Sequence, residues 1–221
     1  MRGTQSFRPV ATLGWVVIAL LGLTGLVDVI AVVAGVEQLD LLERFASGAF
    51  VSDAEIDASD RFYGRVGLVQ SGLVIAAAVA FIMWFHRSYR NVPAMGGRCQ
   101  YGSGWAIGSW FVPVLSLFRP CQMASDIRKT VDTPAKAMLL GWWLVWVVNG
   151  VLGGHATMRM FETIGNDALD GEELLSTLRL DTQWMLAADA VDVVAAALAV
   201  VVVLALTRGQ TEAAARAEAP A

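Results

Sequence analysis

Charge is scarce in this chain. Asp, Glu, Lys and Arg supply 16% of the 221 residues while hydrophobic residues supply 56%, a balance that excludes an ordinary soluble domain. Cysteine is nearly absent. Cys99 and Cys121 stand in neither a CxxC nor a His-spaced pattern, so two unpaired, packed thiols are expected rather than a disulfide framework or a metal site. The two histidines, His86 and His155, are far apart in sequence, which removes the other common zinc ligand. No GxGxxG, Walker, HExxH or GxSxG pattern occurs, so nothing marks a nucleotide, a cofactor or a nucleophile with its base.

Long apolar runs are what the chain does have, and a multi-pass membrane protein is the expectation they set. Four segments, residues 10–36, 66–85, 137–156 and 186–206, meet the roughly 20 mostly apolar residues needed to cross a hydrocarbon core of about 30 Å. Arg2 and Arg8 before the first run imitate a signal peptide, but Pro9 to Val36 is too long for the apolar part of one, and a retained first span is expected. Ser52 with Glu55, and Asp170 with Glu173, make capping-box patterns that open helical runs flowing into spans two and four. Sliding the chain by 118 positions lays Ser52 on Asp170, Glu55 on Glu173 and Arg61 on Arg179, a hint of two related hairpins. The expected fold is therefore all-α: four transmembrane helices as two hairpins in one membrane domain over residues 1–208, with a disordered tail over 209–221.

A fifth apolar stretch, GWAIGSWFVPVLSLFRP from Gly104 to Pro120, needs a separate decision. Gly104 to Phe118 reaches only roughly 22 Å at helical rise. Charge weighs against a crossing. If the stretch does not span, Arg87, Arg90, Arg98, Arg119, Arg128, Lys129, Lys136 and the bases of both ends make eleven on one side, against Arg44, Arg61, Arg65, Arg159 and Arg179 on the other. That fits the positive-inside bias, whereas a crossing would leave seven inside and nine outside. The expectation is four spans in the plasma membrane, both termini cytoplasmic, with residues 98–136 forming a re-entrant or interfacial segment between the hairpins. Pro120 suits a first helical turn, and Met123, Ile127 and Val131 recur every fourth residue with Arg128 and Lys129 off that stripe, which predicts an amphipathic helix in the headgroup region.

Two motifs bracket this middle: FIMWFHRSYRN, Phe81 to Asn91, and the stretch from Gly104 itself. Trp84, Arg87, Arg90 and Asn91 in the first, and Gly104, Trp105, Gly108, Trp110, Phe111, Pro113, Leu117, Arg119 and Pro120 in the second, resemble the bacterial membrane family known as domain of unknown function 4328. The resemblance extends over roughly Leu13 to Leu206 by the order of spans. His86, Ser116 and Cys121 depart from that pattern, where an aromatic, an Asn and an aromatic are expected, so no shared role is expected of them. The resemblance implies a membrane fold and no particular activity.

Two groups of polar residues are candidate sites. Arg87, Arg90 and Arg119, with Trp105 and Trp110 as walls, could hold a phosphate or lipid headgroup, because guanidinium forks bind phosphate bidentately; the plain alternative is orientation bias alone. Asp28, Asn149 and Asp192 fall inside predicted spans on the outer half, where carboxylates are costly and point to an ion or proton site; the plain alternative for Asp189 and Asp192, one or two turns from the outer boundary, is a wet, structural role. The acidic outer connections, which include Glu43, Asp53, Glu55, Asp167 and Asp181, are expected to be a solvated face. The leading expectation is a non-enzymatic scaffold or lipid- or partner-binding protein. The alternative is a small transporter or channel component. Membrane lipid is the expected partner, with another membrane protein or a second copy of the chain also considered; no cofactor, metal or nucleic acid is expected.

Overall fold

The computed structural model describes residues 6–166 and 168–218. They form seven α-helices, α1 (Ala11–Ala46), α2 (Asp53–Asn91), α3 (Trp105–Gly108), α4 (Pro113–Ser116), α5 (Arg119–Thr130), α6 (Lys136–Ile164) and α7 (Gly171–Glu218), with a short 3-10 turn at Pro93–Met95. No strand occurs among the described residues. Helices α1, α2, α6 and α7 are long and apolar enough to cross a membrane. At 29 to 48 residues they run to about 44–72 Å, well past a hydrocarbon core, so the expectation that helices continue beyond the spans holds.

Local chemistry sets their ends. Pro9 precedes α1, and α1 stops where Gly48 adopts φ +75°. The Gly48 and Ala49 N–H groups then reach back to the Phe45 and Arg44 carbonyls at 3.1 Å each, the paired closure that a left-handed glycine permits. Ser52 Oγ accepts from the Glu55 N–H at 3.3 Å and starts α2, while Asp170 immediately precedes α7 with Glu172 and Glu173 in its first turn, favourable at a helix N-terminus. The two connections are six residues each, 47–52 and 165–170; Asp167 lies outside the described residues. The sequence expectation of a single domain meets a division into two compact units, 1–22 with 74–144 and 197–221, and 23–73 with 145–196. Each boundary falls inside a continuous helix, because contacts along a long helix are local and its two halves have different neighbours.

In the first unit, the central segment is anchored by aromatic packing. Trp110 meets Phe81 and Phe85 edge-on at 5.5 and 5.7 Å, and Trp143 at 6.2 Å; the Trp143 indole N–H donates to the Leu117 carbonyl at 3.1 Å. Trp84 is 1% exposed and donates to Thr207 Oγ1 at 3.0 Å. A Cβ on Gly14 would lie 2.6 Å from that same hydroxyl, so glycine is what lets α1 approach α7 here. Helix α5 starts with Pro120 in its first turn, as expected. Its stripe Met123, Ile127 and Val131, however, is 0, 0 and 4% exposed: it is covered by protein, which corrects the picture of a helix whose apolar face rests in lipid. Residues 104–118 hold only α3 and α4, four residues each, with Pro113 interrupting; no span-length helix forms there.

The C-terminal tail is a second correction. α7 continues helically through Gly209 to Glu218, because TEAAARAE is rich in strong helix formers and Gln210 is fully buried; residues 219–221 lie outside the described residues.

In the second unit, ion pairs tie the charged ends that were expected to be merely solvated. Arg44 meets Glu55 at 2.6 Å, Arg179 meets Glu43 at 3.3 Å and Arg159 meets Asp181 at 2.8 Å. Large apolar side chains on the span helices stay uncovered, Leu68 and Val151 at 75 and 66%, the condition of surfaces facing hydrocarbon rather than water.

Candidate functional site

In the first unit, Arg119 begins α5 and its guanidinium carbon lies 4.2 Å from the Trp105 ring and 4.8 Å from the Tyr101 ring. Its Nε and Nη1 are buried without a hydrogen-bond partner. Stacking between π faces attracts the cation but leaves in-plane donors unsatisfied, and buried donors of this kind call for an acceptor. Gln122 Oε1 accepts from the Tyr101 hydroxyl at 2.6 Å. Behind this pair stands Asp126, 5% exposed, whose Oδ2 accepts from the Gln100 N–H at 3.0 Å and the Tyr89 hydroxyl at 3.2 Å. Tyr89 in turn accepts from the Tyr101 N–H at 3.0 Å. This chain fixes the loop that carries the Tyr101 ring, and Asp126 was not among the sequence candidates. Its one trace in the sequence is its place directly beside Ile127 of the apolar stripe, in a stretch whose polar residues otherwise read as solvated.

The other candidates of that group do not join this contact. Arg87 donates to the Pro9 carbonyl at 3.3 Å, Arg90 is exposed, and Trp110 gives its indole N–H to the Ala106 carbonyl at 3.1 Å within the aromatic cluster. Of the five residues, Arg119 and Trp105 are brought into contact. In the same stretch of chain, between Trp105 and Arg119, Phe111, Val114 and Leu117 are 72, 68 and 50% exposed. An open cavity of about 440 Å³ is lined by Arg98, Lys129, Gly96 and Gly97 among others. Asn91 holds the N-terminal segment, accepting from the Arg8 N–H at 3.0 Å and donating to the Arg8 carbonyl at 2.8 Å.

In the second unit, the membrane carboxyls gather. Gln70 Nε2 donates to Asp28 Oδ1 at 2.9 Å and to Asp189 Oδ1 at 2.8 Å. Asn149 Nδ2 donates to Asp192 Oδ1 at 2.7 Å. Asp28 is 0% exposed. Thus Asp28, Asn149 and Asp192 belong to one polar cluster drawn from all four long helices, and Gln70 and Asp189 join it. Asp189, expected to be structural, shares the Gln70 donor with Asp28.

These features define a class first: an all-α protein with four helices long and apolar enough to span a membrane, carrying an interrupted segment between α2 and α5. The particular family follows from comparison, since the family model described as Domain of unknown function (DUF4328) matches residues 47–208, and the chain belongs to that family. The match begins after α1, a shorter reach than the span order suggested, so Asp28 lies outside it. No curated protein and no solved structure matches the chain.

Proposed function

We propose that the protein is a non-enzymatic integral membrane protein of the plasma membrane whose central segment, residues 98–136, binds an anionic phosphate-bearing lipid headgroup at the inner leaflet. The observation that carries this is the Arg119 guanidinium, held between Tyr101 and Trp105 with Nε and Nη1 buried and unpaired. A phosphate oxygen is the acceptor such a fork fits. The exposed Phe111, Val114 and Leu117 offer acyl chains an apolar contact, and Arg98 and Lys129 add positive charge in the neighbouring cavity. Orientation with this segment and both termini cytoplasmic is supported by the eleven-to-five distribution of bases. The first unit is consistent with it, since Asn91 hydrogen-bonds both the Arg8 backbone and the Gln210 side chain.

The test is the lipid retained by the purified protein. Arg119→Ala should lower co-purified anionic phospholipid several-fold while leaving zwitterionic lipid unchanged; equal anionic lipid in parent and variant would sink the reading.

A further inference from the structure

The polar cluster of the second unit is incomplete as it stands. Asp28 Oδ1 has its donor in Gln70, but Oδ2 is buried with no hydrogen-bond partner. The Asp192 carboxyl lies within hydrogen-bonding reach of Asp28, and Asp192 has its own donor in Asn149. Two carboxyl groups that face each other offer only acceptors when both are ionised, an arrangement that low-dielectric surroundings penalise heavily. Among the described residues no ion pair involves Asp28, Asp189 or Asp192: the five ion pairs use Arg44, Arg61, Arg159 and Arg179 with other acids.

One hydrogen atom between them completes the arrangement. We propose that Asp28 and Asp192 form a carboxyl–carboxylate pair that holds one exchangeable proton inside the spanning part of the second unit. The O–H of one carboxyl donates to the facing oxygen of the other, and Gln70 and Asn149 fix the outer oxygens so that the inner ones meet. Release passes the proton to water and takes the pair from one negative charge to two; uptake reverses it. Asp189, half-buried, accepts from the same Gln70 amide and so helps hold that amide in the orientation that serves Asp28.

The amide orientation suits a shared proton. Both Gln70 and Asn149 turn N–H donors to the carboxylates, whereas a cation would draw carbonyl oxygens. No group of His, Cys, Asp and Glu able to hold a metal ion occurs among the described residues. The titratable groups around the pair are Asp189 on α7 and Tyr63 on α2, which is near enough to Asp189 to feel its charge; α6 contributes Asn149. This site is independent of the lipid reading, and either can fail alone.

Infrared difference spectroscopy of the full-length protein in proteoliposomes, titrated with acid and base in H2O and D2O, tests the pair. A protonated carboxyl has a C=O stretch distinct from carboxylate bands and sensitive to deuteration. The parent should show one such band titrating apart from the loop carboxylates. Asp28→Asn and Asp192→Asn should each abolish it, and the exposed Asp40→Asn should leave it. Asn149→Ala retains both carboxyls but frees Asp192, and should shift the midpoint of the band; it decides the matter if a carboxyl variant fails to fold. Absence of the band in the parent, or a band unchanged in all three cluster variants, overturns the proposal. So does a band that vanishes on adding sodium chloride at fixed pH, which would assign the site to a metal cation.

Discussion

The Asn91 carboxamide pairs with the backbone of Arg8 on both sides, accepting from its N–H at 3.0 Å and donating to its carbonyl at 2.8 Å. A side chain has here taken the place of a neighbouring strand, satisfying backbone groups of the segment that leads into α1. Asn91 is 1% exposed and also donates to Gln210 at 3.3 Å, so the residue fastens three parts of the first unit.

Asn91→Ala should therefore destabilise the protein by about 1–3 kcal/mol, the cost of leaving buried partners unpaired. Thermal unfolding in detergent measures the loss, and limited proteolysis should show faster cleavage ahead of Pro9 than in the parent. Unchanged cleavage would mean that the N-terminal segment is held by other contacts.

The approach of α1 to α7 gives a second expectation. Gly14→Ala would push a methyl to 2.6 Å from Thr207 Oγ1, and Thr207 is held by the Trp84 indole. Overpacking of this kind costs about 1–3 kcal/mol. Shrinking the obstacle with Thr207→Ala should recover part of it, so the double variant should be more stable than the sum of single losses predicts. Simple additivity in a double-mutant cycle would deny the contact.

Much of this architecture was legible in the chain because membrane solvent imposes coarse rules. Twenty apolar residues announced each long helix, Ser52 and Asp170 announced two starts, and the shortness of Gly104–Phe118 with Pro113 inside it announced a segment without a span. The polar cluster was half legible. Asp28, Asn149 and Asp192 stand out in apolar runs, but Gln70 reads as an ordinary residue near a span end, and only the rotation of α2 about its axis, set by packing, decides that it faces two carboxyls. Asp126 was hidden for the opposite reason: in RPCQMASDIRKT a carboxylate looks solvated. The helical tail was missed because Gly209 and the polar residues after it read as a linker, while burial of Gln210 carries the helix on.

Both thiols should be slow nucleophiles. Burial pushes the Cys99 and Cys121 thiols up from their ordinary value, and the thiolate is the reactive form. At a mildly alkaline pH a smaller fraction of each is ionised than in an exposed cysteine. Alkylation in the folded protein should therefore be slower than in the detergent-denatured chain, with a rate that climbs at higher pH than for the denatured thiols. Coincident pH–rate curves before and after denaturation would contradict this.

Asp126→Ala separates support from contact at the Arg119 site. It removes the acceptor of the Gln100 N–H and the Tyr89 hydroxyl, which should release the loop bearing Tyr101 and cost about 1–3 kcal/mol. Tyrosine fluorescence anisotropy should report a more mobile loop, and anionic lipid retention should fall although Arg119 is intact. Retention at the parental level would leave Trp105 alone as sufficient to hold the guanidinium.

Arg119→Lys keeps the positive charge and changes its shape. An ammonium lacks the planar face that stacks between Tyr101 and Trp105 at 4.8 and 4.2 Å, and it lacks the parallel donors that grip two oxygens of a phosphate. If charge alone attracted anionic lipid, the lysine variant would retain as much as the parent, since the surrounding bases are untouched. If the stacked fork is what binds, retention should fall most of the way to the Arg119→Ala level, and at raised salt the parent should hold its lipid better than the lysine variant does, because a desolvated bidentate contact is screened less than an exposed point charge. Lipid quantification across a salt series for parent, Lys and Ala variants reads both effects together. Equal salt sensitivity of parent and Lys variant would reduce the site to electrostatics.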